Sequence, residues 1–420
     1  MHVVFIGLNY WPEQTGIAPY TTSLASGLAE KGWGVRVVTG YPHYPMWRVS
    51  GKYRGLKMTE VIAGVALTRL RPFVPSRPTG LKRLLMEISF GLSTLFTSWG
   101  KPDVVVLVSP ALFAVALAQL RARFLPGRPA VVVWVQDIYT CGVTETGVMG
   151  TKGANLVAKI ESAVLNRADL VVVIHDRFKR FLVSSLGVGA SNIEVVRNWT
   201  HMSPTLGLEN RDRMRAQFGW GDETVVLHAG NMGAKQALEN VIDSARLADA
   251  AGARIRFVLL GNGNQRDNLK GLAQDVIRLD FMDSLDEADF KGVLAAADVL
   301  LVNEKAGVTE MAVPSKLTSY FASTRPVLVA SGEGSITAEE LADANAGVRV
   351  DAGDPESLLK EALALGNDPK RAEFLGQNGA EFQARVLSED TAISRFTEIL
   401  TALALRGRQA PAVRDLQGIS

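Results

Sequence analysis

The sequence predicts an α/β protein built from two doubly wound parallel sheets, and three observations carry that prediction. Short runs of Val, Ile and Leu recur along the chain with helical stretches between them. The runs are apolar almost without interruption, as strands buried on both faces require, and the stretches between them are the crossovers that parallel strands need. The 420 residues, 47 % hydrophobic and 21 % charged, suffice for two domains with full cores. This composition excludes a disordered or collagen-like chain. A disulfide scaffold is excluded as well, because Cys141 is the single cysteine. Five histidines with no His-Glu-x-x-His pattern argue against a zinc site.

The first series of elements opens with a strand at Val3–Leu8, a glycine-containing loop and a helix through Ala29. Val35–Thr39 follows the turn at Gly32–Gly34, and Val104–Val108, Val131–Val135 and Leu170–Ile174 continue the sheet, with Ile193–Val196 closing it. Val104–Leu120 is the best candidate for a membrane span, but Ser109 and Pro110 interrupt it and it falls short of the roughly 20 apolar residues a span needs. It reads as a buried strand, a turn and a helix. The start, MHVVFIGLNYW, has neither the basic region nor the cleavage site of a signal peptide, so a cytoplasmic location is expected.

A second series begins after residue 220: a strand at Val225–Ala229, a helix from Ala237 to Ala251, then strands at Arg256–Leu260, Val276–Leu279, Val299–Val302 and Val327–Ala330. The expected organisation is a Rossmann-like domain over residues 1–200 and a linker region over 201–222, with the linker itself near Thr200–Gly207. A second Rossmann-like domain follows over 223–388. A C-terminal helix at 389–405 packs back towards the first domain, and 406–420 form a disordered tail.

Charge divides with the domains. Residues 1–200 hold 22 Lys and Arg against 11 Asp and Glu, while residues 201–420 hold 23 against 32. A basic half facing something anionic and mere compositional drift both account for this. Between residues 69 and 101, Arg69, Arg71, Arg77, Lys82, Arg83 and Lys101 interleave with Leu84, Leu85, Ile88, Phe90, Leu92, Leu95, Phe96 and Trp99. A basic, apolar surface helix of this kind suits an anionic bilayer. A helix packed inside the first domain explains the same pattern.

Function must be read from the loops, because open parallel sheets bind ligands at the carboxyl ends of their strands. The first strand runs into NYWPEQTGIAPYTTS, where Gly16 precedes a helix and could admit an anion to its N-terminus. No G-x-G-x-x-G follows that strand, which argues against an NAD or FAD dehydrogenase. The strand ending at Ala229 runs into GNMGAKQ, where Gly230 and Gly233 give a flexible loop and Lys235 is placed to meet a phosphate. The next strand ends in Gly261 and Gly263. Pro314–Ser315–Lys316 reads as a helix start whose N–H groups would add to an anion site, against a solvated surface lysine as the plain alternative. In the first half, Asp137 ends a central strand, as a cleft carboxylate or a helix N-cap.

Taken in order, NYWPEQTGIAPYT, YPHYP at 41–45, VQD at 135–137, RNW at 197–199, GNMGAKQ at 230–236 and PSKL at 314–317 resemble glycosyltransferase family 4, retaining enzymes of the two-domain GT-B fold. The likeness covers about residues 1–400 and is nearest the colanic acid and exopolysaccharide branch. It implies that Gly16 lies against the donor phosphates and that Lys235 binds them, with Asn231 standing where many members have arginine and Gly233 in the same loop. Gly261 and Gly263 match the loop beside the nucleotide, Phe281 and Met282 the segment whose backbone meets the base, and Ser315, Lys316 and Leu317 the helix start near the pyrophosphate and ribose. Asp137 matches the acidic position of the cleft floor. Many members carry two glutamates eight positions apart; here those positions are Met311 and Ser319, with Glu310 as the neighbouring substitute. Tyr139 and Thr140 replace a frequent Trp-Pro.

The resemblance implies a reaction in which a sugar leaves a nucleoside diphosphate for a saccharide acceptor, often linked to a polyprenyl diphosphate. Lys235 and the N–H groups at Gly16 and Ser315 would stabilise the departing phosphate, and Asp137 would orient the acceptor or the sugar. No metal is expected, since no Asp-x-Asp signature is present, and no nucleic-acid partner. Two alternatives share the two-domain plan: a nucleotide-sugar epimerase, and a non-catalytic nucleotide- or sugar-binding protein.

Overall fold

The computed structural model describes residues 1–13, 16–76, 79–146, 151–199, 211–307 and 315–409. The chain forms two compact units, Met1–Asn198 with the segment from Glu389 onward, and Trp199–Ser388.

The first unit holds an eight-stranded sheet. Its strands are β1 (His2–Ile6), β2 (Gly34–Gly40), β3 (Lys57–Ile62), β4 (Val65–Leu70), β5 (Val104–Ser109), β6 (Ala130–Val135), β7 (Leu170–Val173) and β8 (Ile193–Val195). The spatial order is β3-β4-β2-β1-β5-β6-β7-β8, parallel throughout except for β3, which pairs antiparallel with β4. The crossovers are α1 (Ala18–Glu30), α2 (Gly80–Leu95), α3 (Leu112–Ala122), α4 (Tyr139–Thr146), α5 (Thr151–Asn166) and α6 (Asp176–Leu186). Every residue of β5 is buried, and so are four of the five in β1. That is why these strands read as unbroken Val runs. The stretch Val104–Leu120 is a strand, a turn and a helix. Among the described residues no helix is long and apolar enough to cross a membrane.

The hairpin β3–β4 was not expected from the apolar pattern. β3 is the sheet edge and alternates exposed and half-buried residues, while β4 lies inside the sheet but buries the polar Thr68 and Arg69, so neither carries a continuous apolar run. The hairpin corrects the surface-helix reading of residues 69–101. Arg69 lies in β4, 1 % exposed, with its Nε 2.5 Å from Glu60 Oε1 and its Nη2 donating to the Trp11 carbonyl at 2.6 Å. Only Gly80–Leu95 is helical. Phe90 is in the core, and Trp99 is buried beneath the Arg121 guanidinium, 4.3 Å from its ring.

The second unit has six parallel strands: β9 (Thr224–Ala229), β10 (Ile255–Leu260), β11 (Leu279–Met282), β12 (Val299–Asn303), β13 (Val327–Ala330) and β14 (Gly347–Val350). Their order, β11-β10-β9-β12-β13-β14, is the 3-2-1-4-5-6 sequence of a Rossmann sheet. Helices α7 (Arg211–Gln217), α8 (Glu239–Ala250), α9 (Arg266–Leu272), α10 (Glu287–Ala296) and α11 (Ser315–Ala322) come first. They are followed by α12 (Ile336–Ala344), α13 (Pro355–Asn367) and α14 (Pro369–Val386). Apolar clusters cover both sheet faces. The third strand starts at Leu279, where the sequence pattern put its end, because Val276 belongs to the preceding turn, its N–H bonded to the Ala273 carbonyl. β14 was missed because only its last residue is buried.

The C-terminal helix α15 (Glu389–Gln409) packs on α1, β5 and β6 of the first unit. Phe396, fully buried, meets the Trp134 ring edge-on at 4.9 Å. Gly27 in α1 has no room for a Cβ against Ile393, so the two helices touch backbone to side chain. The linker segment 200–207 and the tail from 410 onward lie outside the described residues.

Candidate functional site

In the second unit β9 and β12 pair only at Val226–Val299 and Leu227–Leu300, and beyond Leu227 no further pairing holds them together. This is the point where strand order reverses and where such sheets open a crevice. Tyr320 closes the base of it. The Ala229 N–H donates to its hydroxyl at 2.8 Å, and that hydroxyl lies 3.3 Å from the carbonyls of Ala229 and Leu301. Burial raises its pKa above the usual phenol value.

Lys316 stands four residues before Tyr320 on α11, hence on the same helix face. Its Nζ is 3.1 Å from His228 Nε2, and its Cε runs beside Gly230, where an added Cβ would sit 3.4 Å away. His228 is fully buried, and burial, reinforced by the Lys316 charge, holds its pKa well below the ordinary imidazole range. The ring is therefore neutral and can accept from the ammonium. Neither His228 nor Tyr320 was singled out in the sequence. A polar residue inside an apolar strand, LHAG, was the available signal for His228.

Lys235 occupies a 3₁₀ turn, Ala234–Gln236, and is exposed. Asn303, 1 % exposed at the end of β12, holds this turn by donating to the Gln236 and Ala237 carbonyls at 2.7 and 3.0 Å. Asn240 donates to Asn303 Oδ1 at 2.8 Å and fixes the amide. The Lys305 N–H bonds the Lys235 carbonyl at 2.8 Å. Gly233 directs its N–H to Gln236 Oε1 at 3.1 Å, and Asn231 lies 3.4 Å from the same oxygen.

The glycines of the second loop have a local cause. A Cβ on Gly261 would overlap the Gly230 carbonyl, and one on Gly263 would run into the Met232 backbone. The two loops are laced together: Gly230 N–H to Leu260, Met232 N–H to Asn262 and Gln265 N–H to Met232, at 2.8–3.0 Å. Gly261 and Gly263 therefore shape the loop pair and face its backbone. A cavity of about 460 Å³ adjoins them, with Asn231, Gly261, Asn262, Ser284, Leu285 and Phe290 in its lining. Apolar walls with amide edges suit a flat heterocycle.

The structure places three more of the expected positions. Phe281 and Met282 pack against the two core clusters, and the Met282 carbonyl accepts from the Gly261 N–H at 3.0 Å. The cavity lining comes from Ser284 and Leu285 just beyond them. The Leu317 side chain is fully buried in the core, which leaves only its backbone for a ligand. Glu310 and Met311 lie outside the described residues, as does the Ser315 side chain; Ser319 is half-buried on α11.

The first unit has its own cavity, of about 490 Å³, at the carboxyl ends of β1, β5 and β6. Buried Glu13 braces its rim: the carboxylate accepts from the N–H groups of His43 and Tyr44 at 2.7 and 2.8 Å and from Asn9 Nδ2 at 2.8 Å. The YPHYP segment is thereby tied to the first loop. Gly16, with φ of +67°, faces the Tyr44 ring. Asp137 is exposed on the cavity wall and accepts from the adjacent Ile138 N–H at 2.9 Å. Buried Glu161 accepts from the Tyr139 and Thr140 N–H groups at the start of α4 at 2.8 Å and from the Thr140 hydroxyl at 2.5 Å. Burial pushes its pKa up despite these donors. Glu87, 6 % exposed, also lines the cavity, and desolvation pushes its carboxyl up to about 8. Among the described residues no group of three His, Cys, Asp or Glu side chains is placed to hold a metal ion.

Comparison with known proteins accords with this geometry. Residues 15–199 match the glycosyl transferase 4-like domain and residues 210–382 the glycosyl transferases group 1 domain. The chain is 30 % identical over 420 residues to the colanic acid biosynthesis glycosyl transferase WcaI of Escherichia coli K12, covering 94 % of this chain and 98 % of that one. Among solved structures, sucrose-phosphate synthase of Thermosynechococcus elongatus superposes with a TM-score of 0.69 at 17 % identity, over 96 % of this chain and 99 % of that one. HepE of Anabaena, in complex with UDP, gives 0.68 at 14 % identity over 96 % and 100 %. Two family domains in order and a full-length relative at this identity place the chain in glycosyltransferase family 4: it is a GT-B glycosyltransferase, related to those of colanic acid biosynthesis.

Proposed function

We propose that the enzyme moves a hexosyl group, with retention, from a nucleoside-diphosphate sugar to a saccharide acceptor carried on a polyprenyl diphosphate, in exopolysaccharide assembly. The observation that carries the donor assignment is Lys316, held by His228 beside the Gly230 turn at the strand-order reversal. The second unit takes the donor and the first the acceptor. The bond between the anomeric carbon and the phosphate oxygen breaks, and its electron pair leaves with the nucleoside diphosphate. Lys316, Lys235 and the N–H groups at the start of α11 stabilise that charge, in the electrostatic role that dominates such reactions. The acceptor hydroxyl forms the new bond on the same face and gives its proton to the leaving phosphate. Asp137 orients the acceptor. The lysines supply the positive charge, so the reaction is read as metal-independent.

Thermal-shift titration with UDP, GDP, ADP, CMP and NAD, with and without magnesium, tests this reading. One nucleoside diphosphate is expected to raise Tm by about 5 °C or more at 100-fold its Kd, where binding adds about 2.7 kcal/mol. The rise should be the same without magnesium. A shift with NAD alone, or with none of them, refutes the donor assignment.

The first unit supports peripheral contact with an anionic membrane. Leu81, Leu85, Leu92 and Phe96 form an outward stripe along α2, and Phe96 is 89 % exposed. Exposed Lys82 adjoins them, and Phe124, at the end of the neighbouring α3, is 80 % exposed. Residues 1–128 hold 15 Lys and Arg against 5 Asp and Glu. Apolar side chains beside excess positive charge are what an anionic interface attracts. The protein is expected to float with vesicles containing 30 % anionic lipid, and Leu85→Ser with Phe96→Ser to reduce the floated fraction severalfold. Equal flotation with neutral vesicles contradicts the contact.

A further inference from the structure

Three arginines of the second unit gather at the amino ends of β9, β12 and β13, the end of the sheet opposite the glycine loops. Asp298, the residue before β12, is their shared carboxylate. It accepts from the Val225 N–H at 2.8 Å, from Arg215 Nη1 at 3.0 Å and from Arg211 Nη2. Arg211 and Arg215 are four positions apart on α7 and share one face of it. Arg215 is 8 % exposed and is tied further to the carbonyls of Gly221, Glu223 and Ala296. Arg325, two residues before β13, donates from Nε to the Ala295 carbonyl at 2.9 Å.

The charge of this group does not balance. Two neighbouring acids belong to other arginines: Asp222 pairs with Arg254, and Glu223 with Arg256 at 3.0 Å. Asp212 is exposed and lies about 100° round α7 from Arg211. The carbonyl end of α10, at Ala295 and Ala296, adds roughly half a negative charge. Three guanidinium groups against one carboxylate and that helix end leave more than one positive charge in a half-buried place. Burial, and then the Arg211 charge, pull the Arg325 guanidinium down to about 10, so it still carries its proton at neutral pH. Partly desolvated positive charge is costly without an anion beside it. Donors remain for one. Among the described residues Arg325 Nη1 and Nη2 have no acceptor, and Arg211 Nε is buried without one.

We propose that Arg211 and Arg325 form a binding site for a phosphate-type oxyanion, either free phosphate or the phosphate of a small monoester. Guanidinium groups present paired N–H donors that match two oxygens of such an anion. Arg215 has its donors taken up by protein oxygens and holds Asp298 in place between the strands. The site stands apart from the donor loops. Asp298 bonds Val225 at one end of β9, whereas Lys316 runs beside Gly230 at the other. It therefore goes beyond the transferase reading and does not depend on it.

Thermal shift on the full chain with inorganic phosphate tests the proposal, against potassium chloride of equal ionic strength. Wild type is expected to gain about 2 °C or more at roughly tenfold the half-saturating phosphate, along a curve that saturates. General stabilisation by an excluded anion keeps growing with concentration and is the same in every variant. Lys316→Ala should keep the full rise, which separates this site from phosphate taken up at the donor loops. Arg325→Gln and Arg211→Gln should each lose it. Arg213→Gln, exposed on the far side of α7 and carrying the same loss of charge, should keep it. Glycerol 3-phosphate in place of inorganic phosphate tells the two forms of ligand apart: the one that half-saturates at lower concentration is the form the site accepts. Circular dichroism shows that the variants are folded, and the two arginine variants are judged separately, so one misfolded variant leaves the other to decide. A rise that does not saturate, that survives in folded Arg325→Gln or Arg211→Gln, or that disappears in Lys316→Ala overturns the proposal.

Discussion

Lys316→Ala is expected to lower kcat by about 100- to 1000-fold, the cost of removing one preorganised group from a developing oxyanion. The donor KM should change far less, because the charge the ammonium meets grows as the phosphate departs. The geometry makes this the sharper of the two lysine tests. Lys235 is exposed on its turn, whereas Lys316 is half-buried, with Nζ at 3.1 Å from the neutral His228 ring. Tyr320, one turn further along α11, keeps its bonds to β9 and β12 in the variant, so the helix stays docked. His228→Gln retains an acceptor for the ammonium and should preserve more activity than His228→Leu. Steady-state kinetics with the nucleotide sugar found by thermal shift decides it. A Lys316→Ala enzyme within threefold of wild-type kcat removes Lys316 from the donor site.

Glu87→Gln is expected to stabilise the protein at alkaline pH and to leave it nearly unchanged at acid pH. The unfolded carboxyl titrates at about 4.5, and the folded one at about 8. Between those values the folded state holds a proton that the unfolded state has released, so stability falls as pH rises through that window. Below 4.5 both states are protonated and nothing is lost; above 8 the whole loss is in place, on the order of a few kcal/mol. Glutamine carries no such charge and can still accept from the Phe113 N–H. Urea midpoints at pH 4 and pH 9 measure the difference. A stability gap between Glu87→Gln and wild type that is the same at both pH values shows that Glu87 is not the group responsible.

Much of the architecture is local and therefore legible. A strand buried on both faces has to be apolar along its length, so β1, β2, β5, β6, β9, β10, β12 and β13 announce themselves as Val- and Leu-rich runs. Edge strands lack that constraint: β3 is half solvated and β14 is buried only at Val350, and neither was found. Glycine-rich strand ends were legible as positions, but their cause was not. Gly261 and Gly263 are glycines because the Gly230–Met232 backbone lies against them, a contact between loops some 30 residues apart.

The candidate sites divide in the same way. Ordered motifs named Lys235, Lys316, Asp137 and the glycine loops, because each motif is a short stretch whose spacing is visible in one dimension. They could not name His228, Asn303, Tyr320, Glu13, Glu87 or Glu161. Each of these acts on a group distant in sequence: His228 on Lys316, 88 positions away, and Glu13 on His43, 30 positions away. Burial, which holds the His228 ring neutral and the Glu87 carboxyl protonated, belongs to the packed chain and to no segment of it. The sequence by itself determined the two sheets, the family and the loops that carry chemistry, since apolar periodicity and motif spacing are properties of neighbouring residues. Only the tertiary structure decided which groups brace those loops and in which protonation state, because desolvation and long-range hydrogen bonds arise when distant segments exclude water from one another.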